Sequence, residues 1–96
     1  MVLPIANLLS YSQGLVEKEL AVCVQVEGPL QSFYTWEGKV ECAKEWRLMV
    51  KFLSPKASLL TIYWKENHPY SIPEWICVSP SFVDEKYLEW AKKTQR

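Results

Sequence analysis

SFYTWEGKVECAKEWRLMVKF, residues 32–52, carries the pattern on which the fold turns. From its C-terminal half, Trp46, Leu48, Val50 and Phe52 alternate with Glu45, Arg47, Met49 and Lys51. Period two of this kind belongs to a strand with one face on a core and the other polar. Just upstream, Glu37-Gly38 stands where a tight reversal needs residues that tolerate positive φ, and Leu30 to Trp36 is rich in β-formers, so the stretch predicts a hairpin. Further back, Val22, Val24 and Val26 alternate with Cys23, Gln25 and Glu27 until Gly28-Pro29 interrupts them. A proline cannot donate to a ladder and is confined to bulges and edges, so the hairpin's first strand is expected to be kinked there.

Helical spacing brackets the hairpin. Leu8, Tyr11, Leu15 and Val16 set an inward stripe on a helix of about three turns that ends near Glu17–Glu19. Beyond the hairpin, Ser54-Pro55 supplies an N-cap and a first-turn proline, Leu59, Ile62 and Tyr63 set a second stripe, and Pro69 stops the helix. Pro73 then opens a last strand through Trp75, Ile76, Cys77 and Val78, closed by Ser79-Pro80. Asp84 caps a terminal helix with Tyr87, Leu88, Trp90 and Ala91 facing inward, and Lys92, Lys93 and Arg96 suit the negative end of its dipole. With a strand ahead of the first helix, this order is an α/β, ferredoxin-like βαββαβ unit with an added C-terminal helix.

Composition narrows the function classes. The chain has 96 residues, the size of one domain spanning 1–96, with eleven Lys and Arg against eleven Asp and Glu. A balanced charge offers no long-range field for nucleic acid or anionic lipid, and no apolar run reaches the roughly 20 residues that span a bilayer. Five Trp and five Tyr are many for this length and point to a buried subunit interface. Cys23, Cys42 and Cys77 form no C-x-x-C pair and read as reduced thiols; with no secretory pattern in MVLPIANLLS, a cytoplasmic setting is expected.

Five local motifs sit at a familiar spacing: LAVCV at 20–24, SFYTWEGKVE at 32–41, Val50-Lys51, NHPYSIPE at 67–74 and YLEW at 87–90. Together they resemble the CutA family, whose usual forms are LAACV, S-x-Y-x-W-x-G-K-x-E, IKT, HPY-x-x-PE and YLxW. The resemblance covers about residues 15 to 91. It implies a ferredoxin-like subunit in a compact homotrimer, similar in plan to the PII signalling proteins, with long kinked strands reaching onto neighbouring subunits. It also implies involvement with divalent metals, copper above all, or, as in animal members, anchoring of acetylcholinesterase; no enzymatic reaction attaches to it. Two departures stand out. Alignment back from Leu20 puts the first helix near Pro4, so the family's opening strand, with its metal-associated Cys, is either shortened to residues 2–6 or absent. The other is Asn67, where some bacterial members carry a second His.

The candidate site residues come in two groups. His68, the single histidine, could ligate copper or another divalent cation as a neutral imidazole, with the Glu74 carboxylate and, if the fold brings it near, the Cys23 thiolate. The competing reading gives His68 a structural role in its turn. Tyr34, Trp36, Lys39, Glu41, Lys51 and Tyr70 mix aromatic faces with both charges, as a subunit-interface cleft does. Lys39 and Lys51 could instead hold a small anion, although no Gly-rich phosphate loop accompanies them. No Ser or Cys nucleophile stands beside a His and there is no H-E-x-x-H, so a non-enzymatic binding protein is expected, with itself and a protein partner as the candidate associates.

Overall fold

The alternation around Glu37-Gly38 becomes a long antiparallel hairpin in the computed structural model, which describes residues 2–3, 8–67 and 74–95. The order is β1 (Val2–Leu3), α1 (Leu8–Glu17), β2 (Cys23–Trp36), β3 (Lys39–Lys51), a 3-10 turn (Ser54–Lys56), α2 (Ala57–Asn67) and α3 (Glu85–Thr94). The strands form one sheet in the order β1-β3-β2. The 14 residues of β2, at about 3.3 Å each, account for most of the molecule's 46 Å length. Trp36 pairs with Lys39 across a two-residue turn in which Glu37 (φ 51°) and Gly38 (φ 77°) are both left-handed, as a type I′ reversal requires.

The expected kink is a β-bulge. Glu27 pairs with Arg47 and Leu30 with Glu45, so Gly28 and Pro29, joined by a cis peptide bond, together face Trp46. Position 28 has to be glycine: its φ is +150°, and a Cβ there would lie 2.6 Å from Trp46 Cδ1.

Helices α1 and α2 cover the face of β3 that carries Trp46, Leu48 and Val50. Leu8, Leu48 and Trp64 form one buried cluster and Leu15, Ala21 and Leu60 another, and Tyr11, Val24, Val50 and Trp75 pack against both. Trp64 is wholly buried, edge-on to Tyr11 (centroids 5.7 Å) and stacked on Trp75 (5.7 Å). Trp75 also donates its indole N–H to Thr61 Oγ1 at 3.0 Å. Replacing a fully buried Trp of this kind by Ala costs about 3–5 kcal/mol.

Several expectations need correction. The opening strand is present: Val2 and Leu3 pair with Arg47 and Trp46, α1 runs over Leu8–Glu17, and the expected helix start near Pro4 lies outside the described residues. On α1 the inward stripe includes Ser12, whose hydroxyl donates to the Leu8 carbonyl at 2.9 Å, while Val16 lies partly in solvent. Ser54 opens the 3-10 turn and is not the cap; Leu53 holds that position with no side-chain bond. On α2 the buried residues are Leu60 and Trp64, and Leu59 and Ile62 are each 54% exposed. Two apolar stripes one residue out of phase compete on this helix, and the one that buries the large Trp64 ring wins. Val26 is 40% exposed although its cross-strand partner Leu48 is buried.

Residues 74–80 form no strand, and Ile76 and Val78 are 70% and 84% exposed. In a βαββαβ sheet this strand would add beside β1, and no such ladder forms among the described residues. Cys77 accordingly lies exposed rather than in the core, and Cys42 lies exposed within β3. The α3 helix is capped as expected: Asp84 accepts from the backbone N–H groups of Lys86 (3.1 Å) and Tyr87 (3.4 Å). Of its expected inward residues only Ala91 is buried, and Trp90 is 48% exposed.

The Tyr11 hydroxyl is buried with no hydrogen-bond partner. Burial, reinforced by the neighbouring Tyr63, holds its phenol well above the ordinary range near 10. A folded-state pKa above the unfolded one stabilises the protein fully below about pH 10, and that contribution is lost as pH rises further. Tyr11→Phe is therefore expected to match or exceed the parent by up to about 1 kcal/mol at pH 7. In urea unfolding from about pH 9 to 11.5, its advantage should widen above the ordinary phenol pKa near 10; a constant difference would show that Tyr11 does not drive the alkaline loss.

Candidate functional site

Side chains alternate along β3, which has no bulge of its own, so Trp46, Leu48 and Val50 face the helices. Lys39, Glu41, Ala43, Glu45, Arg47, Met49 and Lys51 occupy the opposite face. Cross-strand partners share a face, which adds Trp36 (opposite Lys39), Tyr34 (opposite Glu41) and Cys23 (opposite Lys51). The open face of the sheet thus gathers Tyr34, Trp36, Lys39, Glu41, Lys51 and Cys23. The two-residue turn fixes Trp36 opposite Lys39 and Tyr34 opposite Glu41, and the bulge, by absorbing one extra residue of β2, brings Cys23 opposite Lys51. A slip of one residue would turn Tyr34 and Trp36 to the helical side.

The far half of the hairpin is an unsupported arm. None of residues 31–44 is buried; Tyr34 and Trp36 are 45% and 46% exposed, and Phe33 and Val40, on the other face, more so. At the near end, the Lys51 ammonium lies 5.9 Å from the Tyr87 ring centroid, and Tyr87 and Trp90 pack at 5.6 Å. This cation–π contact ties α3 to the end of β3, together with Gln95 Nε2 donating to the Ala21 carbonyl at 3.3 Å. Glu45, expected in solvent with its neighbours of like parity, is buried where the ladder resumes opposite Leu30.

The metal candidates are less well gathered. His68 and Tyr70 lie outside the described residues. Cys23 is half-buried at the start of β2, and Glu74 is exposed beyond α2. Among the described residues no three His, Cys, Asp or Glu side chains converge as metal ligands would, so Cys23 and Glu74 do not form a closed donor set in one subunit. No helix among the described residues is long and apolar enough to cross a membrane.

Sequence reasoning missed one surface. Ile76, Val78 and Phe82 (81% exposed) leave an apolar segment in solvent between Trp75 and α3. Its signal is present in the sequence, as period-two apolar residues, but period two alone implies a partner strand within the subunit, and none pairs with it among the described residues.

The family model for the CutA1 divalent ion tolerance protein matches residues 5–94. The chain belongs to the CutA1 family. A CutA homolog of Xenopus laevis is 42% identical over 79 residues, 82% of this chain and 52% of its own length. The divalent-cation tolerance protein CutA of Archaeoglobus fulgidus is 40% identical over 84 residues, 86% of this chain and 80% of that protein. The chain spans about half the length of the plant and frog CutA relatives. Among solved structures, the divalent cation tolerance protein Cut A1 of Thermus thermophilus superposes with a TM-score of 0.89 at 29% identity, covering 99% of this chain and 93% of that one. The PII-like protein CutA from Nostoc, in apo form, gives 0.91 at 27%, covering 99% and 92%. The chain therefore has the CutA1 fold.

The bulge geometry sets up a comparison of two glycines. At Gly28 a Cβ meets the Trp46 ring and, at 3.1 Å, the Glu45 carbonyl, whereas nothing lies within 4 Å of one at Gly38. Gly38→Ala should cost about 1 kcal/mol, from the left-handed backbone alone. Gly28→Ala should cost roughly 2–3 kcal/mol, since overpacking adds to it. Urea unfolding of both variants measures this, and equal losses would mean that the ladder accommodates a side chain opposite Trp46.

Proposed function

We propose that this CutA1-family chain is a non-enzymatic cytoplasmic protein that works as a homotrimer. Its interface clefts bind a divalent cation of the copper type or a small regulatory ligand. The observation that carries this reading is the open face of the hairpin, where Tyr34, Trp36, Lys39, Glu41 and Lys51 share one side of an arm without a core beneath it. A 14-residue strand at the sheet edge, half-exposed aromatics and the apolar Ile76, Val78 and Phe82 are the features that subunit contacts bury. Lys39, Glu41 and Lys51 then fix how subunits dock, and Tyr34 and Trp36 anchor them.

The family's description as divalent ion tolerance proteins supports a cation as the ligand. His68 and Glu74 supply an imidazole and a carboxylate, and Cys23 a thiol, a mixture suited to a borderline or soft metal. On this reading these donors and Tyr70 belong to the interface cleft.

The exposed Tyr34, Trp36, Ile76, Val78 and Phe82 suit a second reading as well, in which the trimer is a scaffold for a protein partner, of the acetylcholinesterase-anchoring type, and metal has no physiological part.

Static light scattering at micromolar concentration is expected to give three times the chain mass. Trp36→Ala should weaken assembly more than Trp90→Ala, because Trp36 ends the arm and Trp90 packs on Tyr87 of its own helix. A stable monomer would remove the cleft, and equal effects of the two variants would remove the arm's role in building it.

Calorimetric titration with copper or zinc distinguishes the two readings. Binding should be stoichiometric, should weaken below about pH 6 as the imidazole protonates, and should be lost in His68→Gln. Unchanged binding in that variant, or no binding to the parent, would favour the protein-partner reading.

A further inference from the structure

We draw no further inference here: the strongest candidate, the outward apolar surface of the helical layer formed by Leu9 and Val16 on α1 and Leu59 and Ile62 on α2, carries nothing because nothing in the structure shows what covers it.

Discussion

The burial of one indole organises this subunit. Trp64 brings α2 down onto Leu48 of β3, receives Tyr11 of α1 on its edge, and offers a ring face on which Trp75 stacks. Four segments distant in sequence are positioned by that contact. The chain after α2 is held by it too, since Trp75 is fixed by stacking and by its bond to Thr61 rather than by any ladder.

Those elements that depend on local chemistry were legible in the sequence. The turn at Glu37-Gly38, the interruption at Gly28-Pro29, the strand from Glu45 to Lys51 and the Asp84 cap each follow from properties of one or two residues. What period alone could not decide was phase. On α2, Leu59 and Ile62 are as apolar as Leu60, and only the tertiary demand of Trp64 chooses between the stripes. Residues 74–80 show a related limit: their composition is that of a strand, but strand formation needs a neighbour, and no ladder among the described residues includes them.

The candidate site was legible as a set of residues and not as a place. Tyr34, Trp36, Lys39, Glu41 and Lys51 were gathered from motifs, yet their common face depends on the register set by the two-residue turn. Miscounting at Gly28 or Pro29 would instead have turned Cys23 to the helical face. Glu45 shows a further limit, since its parity matches its solvent-facing neighbours while its side chain is buried. Of the cation donors, Cys23 and Glu74 could not be related to each other by spacing, because the whole hairpin and α2 lie between them.

The outer edge of β2 has consequences for how such a chain is made. Along 14 residues every second residue turns its N–H and C=O away from β3, with no strand beside them among the described residues. An open edge of that length is a template for any extended polypeptide it meets. On the trimeric reading, every newly synthesised subunit must complete a higher-order reaction before this edge is closed, so the yield of finished particles depends on local concentration. Slow or dispersed translation lengthens the interval in which holdases or misregistered strands compete for the edge. Clustered translation on a shared message shortens it.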